Sequence, residues 1–121
     1  MDKHITRAKC MDFAVRIVKL SKYIRDTQKD YDLAGQLSRS GTSIGANFRE
    51  AQNAASKKDF INKVTIALKE ANETEYWLEL LYKVKYISEK EYKSVYSDCD
   101  ELVRLLTSIV KTAKKNEEVT S

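Results

Sequence analysis

Proline is absent from this 121-residue sequence and glycine occurs only three times. A sheet-rich or loop-rich fold would need more of both to turn the chain, so their scarcity excludes it. Long apolar runs are also missing, and the opening stretch MDKHITRAKC carries no apolar core of the kind a signal peptide needs. A cytoplasmic protein is the expectation. The single histidine, His4, falls in an N-terminal segment expected to fray, where a solvated side chain is favoured over a ligand or base. Two cysteines, Cys10 and Cys99, lie far apart within apolar helical patterns. They read as reduced core thiols, and with no second pair a zinc site has no support. Glu70, Glu73, Glu75 and Glu79 crowd one segment, yet di-iron bundles require a Glu-x-x-His motif on each of two helices, and none is present. No catalytic set, metal or cofactor is expected, and the chain is read as non-enzymatic.

What is present is helical periodicity. At 13.9 kDa, with 42% hydrophobic and 33% charged residues, the chain suits one domain spanning 1–121. Tyr92, Val95, Cys99, Leu102, Leu106, Ile109 and Ala113 recur at spacings of three and four, the seam of a bundle helix. Ser88 followed by Glu91 marks the start of that helix as a capping box, and Ser56 followed by Asp59 opens the preceding one in the same way. That third helix carries Phe60, Val64, Ala67, Ala71, Thr74, Leu78 and Leu81 inward, and the first carries Cys10, Phe13, Ile17, Leu20 and Ile24. The pattern predicts an all-α, up-and-down antiparallel four-helix bundle with helices at about 5–25, 32–55, 57–86 and 89–114 and a flexible C-terminal tail.

Two of the glycines fall in SRSGTSIGANFREAQNA, residues 38–54. A phosphate-binding loop would need a preceding strand and a lysine opening the next helix, and neither is visible. The segment reads instead as a helix interior, with Leu33, Leu37, Ser40, Ile44, Asn47 and Ala51 as its inward row. Each glycine there costs up to about 1 kcal/mol relative to alanine. Gly41 and Gly45, one turn apart, are therefore assigned to close approach by another helix. Ser40 and Asn47 sit at seam positions and require hydrogen-bond partners, and with Glu75 of the third helix they are expected to form a structural polar network.

More apolar surface exists than one core requires. Met11, Val15 and Val18 form a second row on the first helix; on the third, Ile66, Trp77, Leu80, Val84 and Ile87 form another, interrupted by Glu70 and Glu73. Exposed rows of this kind mark partner surfaces, so an oligomer is expected, with Met11, Val15, Val18, Trp77 and Leu80 at its interface.

The formal net charge is +4, and all of this excess is already present in residues 1–30, which hold eight Lys or Arg against four Asp. A basic segment of this kind fits a polyanionic partner or a solvated helix face. On the first reading Lys9, Arg16, Lys19, Lys22 and Arg25 supply charge from the first helix, with Arg39 and Arg49 from the second. Basic residues without an interleaved aromatic motif favour phosphate contacts over base reading. No membrane partner is expected.

The segments RSGTSIGANFREAQNA (39–54) and SKKDFINKVTIALKEANETEYWLELL (56–81) resemble the bacterial four-helix-bundle family encoded in intervening sequences of 23S ribosomal RNA genes. The resemblance extends from about Met11 to Ala113. That family's fold is similar in turn to the accessory variability protein of diversity-generating retroelements, a basic pentameric barrel, which implies a homopentamer here. The resemblance implies binding of the intervening RNA. It leaves open a protein-interaction scaffold, such as an accessory subunit docking a reverse transcriptase or another acidic partner.

Overall fold

Each periodic segment becomes one helix. The computed structural model describes residues 3–120, with side chains through Asn116, as α1 (Lys3–Gln28), α2 (Tyr31–Gln52), α3 (Lys57–Lys83) and α4 (Glu89–Thr120). Short connections make successive helices antiparallel, giving an up-and-down four-helix bundle with no strand among the described residues. Helix α1 already includes His4, and α4 continues past residue 114 to Thr120, where a tail was expected. Ser121 and the side chains after Asn116 lie outside the described residues.

The helix ends follow from local chemistry. Ser56 Oγ accepts the Asp59 amide at 3.0 Å, and Ser88 Oγ accepts that of Glu91 at 3.1 Å, so both sequence caps form. Asp30 caps α2 by accepting the Leu33 amide at 3.0 Å, and its other carboxylate oxygen accepts from the Tyr86 hydroxyl at 3.1 Å. That bond ties the α1–α2 turn to the α3–α4 turn. Lys29 (φ 57°) and Lys85 (φ 66°) end α1 and α3 in the left-handed region, where glycine is the usual occupant.

The inward rows of α1, α3 and α4 meet in one buried cluster that includes Ile17, Ile24, Val64, Leu78, Val95 and Leu106, all fully excluded from solvent. Helix α2 buries a wider face than its expected row: Ala34, Gly41 and Phe48 are buried alongside Leu37, Ser40, Ile44 and Ala51. It packs closely against both α1 and α3, so both sides of its inward face are covered. Phe48 takes the core position that a strict three-four spacing assigned to Asn47, which is only half-buried. Ile87 is likewise buried, inside the core rather than on the outer row of α3.

Gly41 shows why a helix interior tolerates glycine here. A Cβ at Gly41 would lie 2.6 Å from Ile17 Cγ2 and 2.9 Å from Cγ1, and at Gly45 it would lie 3.2 Å from Cys10 Cβ. Two adjacent turns of α2 therefore press against α1. By contrast α1 touches α4 far less than any other neighbouring pair, leaving that seam partly open.

Candidate nucleic-acid interface

The open α1–α4 seam decides what the basic residues of α1 do. Arg16 Nη1 donates to Asp98 Oδ2 at 2.7 Å, its Nη2 donates to Ser94 Oγ at 2.9 Å, and Glu91 lies within 3.5 Å. Lys9 pairs with Glu101 at 3.0 Å. These two cations bridge helices whose backbones lie farther apart than those of the other neighbouring pairs, so their charge is engaged within the protein. Lys22 pairs along its own helix with Asp26 at 2.7 Å, and that pair holds the Asp26 carboxyl below its ordinary range. Lys19 borders a groove of about 430 Å³ between α1 and the start of α4, with Leu20, Tyr23 and Ile87 as its apolar wall. Arg25 is half-buried. Arg39 donates to Gln36 on its own helix, and its charge acts on Glu70. Arg49 shares a second groove with Arg7, Met11 and Gly45. The seven basic residues are thus not one surface.

The polar residues are distributed too. Ser40 and Thr74 are fully buried and joined across α2–α3 by a 3.0 Å hydrogen bond in which Thr74 donates. Asn47 donates to Ser43 O at 2.8 Å within its own helix. Glu75 projects on the α4 side of α3, where its charge bears on Tyr92, Tyr96 and Cys99; burial, then Asp100, pushes its carboxyl above the ordinary range. Ser40, Asn47 and Glu75 therefore do not join one another, because they occupy two different seams. Glu70 is also pushed up, by burial first and then by Glu73. Both cysteines are buried free thiols, and burial pushes Cys10 up to about 11, which removes thiolate reactivity near neutral pH. Among the described residues no three His, Cys, Asp or Glu side chains converge as a metal would require.

Met11, Val15 and Val18 remain 49, 47 and 46% exposed, a continuous apolar stripe on α1. Ile66 on α3 and Val84 at its C-cap are exposed, Trp77 is half-buried against the core and Leu80 is half-buried. Tyr82 stacks on Tyr92 at 4.6 Å across the α3–α4 seam.

Antiparallel packing produces a feature invisible to a linear count of charge. The start of α1, the end of α2, the start of α3 and the later turns of α4 meet at one end of the bundle. Lys3, Arg7, Arg49, Lys57, Lys58, Lys63, Lys111, Lys114 and Lys115 collect there. The described carboxylates in the same region are Asp59 and Glu50, and Glu50 is paired with Lys63 at 3.4 Å. At the centre lies a groove of about 540 Å³ whose lining includes Lys3, His4, Gln52, Ser56, Lys57, Phe60, Ser108, Ile109 and Asn116. The runs 57–58 and 111–115 carried this signal, but only the topology brings them together. No helix among the described residues is long and apolar enough to cross a membrane.

Residues 2–108 match the family model described as 23S rRNA-intervening sequence protein. The chain belongs to that family. A crystal structure of a protein of unknown function from the S23 ribosomal protein family of Bacteroides thetaiotaomicron is similar, with a TM-score of 0.87 and 55% identity, covering 88% of this chain and 98% of that one. Curated proteins yield no match. Membership of the 23S rRNA-intervening sequence protein family thus establishes kinship and fold, and the chemistry has to be read from the surface just described.

Proposed function

We propose that this 23S rRNA-intervening sequence protein is a non-enzymatic nucleic-acid-binding protein that acts as a homo-oligomer, with structured RNA as its partner. The observation that carries this reading is the gathering of lysines and arginines from all four helices at one end of the bundle. A modest net charge concentrated on one surface attracts a polyanion far better than the same charge spread evenly. The family name, which ties these proteins to ribosomal RNA genes, supports RNA over DNA. Phosphate contacts dominate such recognition, so sequence preference is weak and salt sensitivity strong.

The oligomer rests on the apolar stripes. Helices α1 and α3 are not direct neighbours in the bundle, so their outward faces point in different directions. One copy's α1 stripe against the next copy's α3 face is a head-to-tail contact, the kind that forms a ring when the rotation between copies closes. A pentamer is the order the resemblance implies, and a ring repeats the basic end so that individually weak patches act together. Purification with and without nuclease tests the reading. RNA recovered with the untreated protein, and a mass by light scattering several times 13.9 kDa, are the expected results. A monomer free of nucleic acid, holding an acidic protein partner through nuclease treatment, would overturn it in favour of a scaffold.

A further inference from the structure

The groove at the basic end has a composition that phosphate binding alone does not explain. Its lining combines apolar Phe60 and Ile109 with the ammonium groups of Lys3 and Lys57 and the Ser108 hydroxyl. Phe60 is only partly buried, and the Lys3 ammonium lies 4.3 Å from the centre of its ring. One face of the ring is therefore covered by a cation, while the residue also packs against the core. Gln52 contributes a buried Oε1 that accepts no hydrogen bond among the described residues. A buried carbonyl left without a donor is costly, and a ligand that donates to it once the side chain turns toward the groove recovers that cost.

We infer that this groove is a nucleotide pocket that seats one unpaired base against Phe60, with Gln52 Oε1 accepting from an amino or hydroxyl group of the base or sugar and Lys3 and Lys57 holding the adjoining phosphates. The inference rests on the proposed nucleic-acid binding and specifies its partner as nucleic acid with unpaired nucleotides. An aromatic face, an orphaned acceptor and flanking ammonium groups match the three parts of a nucleotide: base, hydrogen-bonding edge and phosphate. Stacking is tolerant of base identity, since every base has a π-face. On binding, the Lys3 ammonium leaves the ring for a phosphate and the base takes its place. A groove of about 540 Å³ accommodates one nucleotide with its phosphate, and the surrounding lysines continue the track for neighbouring phosphates.

The test compares four probes on the full chain: an unstructured single-stranded RNA, the corresponding single-stranded DNA, an RNA duplex of equal length, and adenosine monophosphate. Single strands are expected to bind more tightly than the duplex, and Phe60→Leu, which keeps an apolar side chain, is expected to weaken single-strand binding roughly fivefold to a hundredfold, the range of one lost stack. Gln52→Leu should also weaken it, with duplex binding unchanged in both variants. Saturable binding of adenosine monophosphate that Phe60→Leu abolishes, with no preference among the strands, would assign the pocket to a free nucleotide instead of a strand. If the strands bind but Phe60→Leu and Gln52→Leu leave the single-strand preference unaltered, the pocket is refuted while nucleic-acid binding stands. If the wild type binds no strand at low salt, the broader functional reading fails instead. A melting scan of each variant shows whether the groove is intact, and Phe60→Tyr, which retains a stacking face, should restore binding.

Discussion

The three glycines allow the α1–α2 contact to be tested by sign as well as by size. Gly35 is exposed and a Cβ there meets nothing within 4 Å, so Gly35→Ala should stabilise the protein by the full helix-propensity difference, about 0.8–1 kcal/mol. Gly41→Ala gains the same propensity but places its Cβ 2.6 Å from Ile17 Cγ2, and Ile17 is fully buried with no room to retreat. Forcing a methyl group into such a site costs about 1–3 kcal/mol, so the net effect is a loss of up to about 2 kcal/mol. Gly41→Leu should be worse. Gly45→Ala, at 3.2 Å from Cys10 Cβ, should fall between the two, near neutral. For a chain of this length each kcal/mol moves the melting temperature by about 3–5 °C. Thermal unfolding at one fixed protein concentration therefore resolves the series, and fixing concentration matters because assembly also shifts melting. Ile17→Ala in the Gly41→Ala background should cost less than the sum of the two single changes, because the new methyl partly refills the space. A Gly41→Ala protein as stable as Gly35→Ala would refute the close approach.

Val15→Asp places a carboxylate in the centre of the exposed α1 stripe; light scattering should show a smaller assembly while circular dichroism reports unchanged helix content. Glu75→Gln should raise stability near pH 7 and flatten its pH dependence. The folded carboxyl titrates above its unfolded value, so the folded state holds more protons between the two values and stability falls as pH rises through that window; urea unfolding from about pH 4.5 to 7 measures it. Lys29→Gly and Lys85→Gly should each stabilise by up to about 1 kcal/mol, since both residues occupy the left-handed region, with the Lys→Ala variants at the same positions showing no such gain in the same unfolding assay.

Much of the fold is legible in the sequence because three of the helices bury a narrow stripe. The inward rows of α1, α3 and α4 follow three-four spacing, and Ser56 and Ser88 announce two helix starts by chemistry that acts within four residues. Helix α2 resists that reading because it is covered from two sides, so Ser40 and Gly41 are both buried and Phe48 displaces Asn47 from the core. The candidate interface is less legible. The carboxylates that engage Lys9 and Arg16 lie some eighty to ninety residues away, and local charge balance cannot reveal them. The basic end is hidden for the same reason: Lys57 and Lys58 are separated in the sequence from Lys111, Lys114 and Lys115, and only the antiparallel topology brings the two runs to one end.

The most direct test of nucleic-acid binding is the affinity of the wild-type protein for a structured RNA at several salt concentrations between about 50 and 200 mM, set against a variant with Lys57, Lys58, Lys111 and Lys114 changed to Glu. Binding through neutralised phosphates makes log affinity fall linearly with log salt, by about 0.9 per phosphate on a duplex and 0.7 on a single strand. A steep wild-type slope, clearly flattened together with a large loss of affinity in the variant, is the expected result. Absence of wild-type binding at 50 mM salt, or the same slope in both proteins, would contradict it.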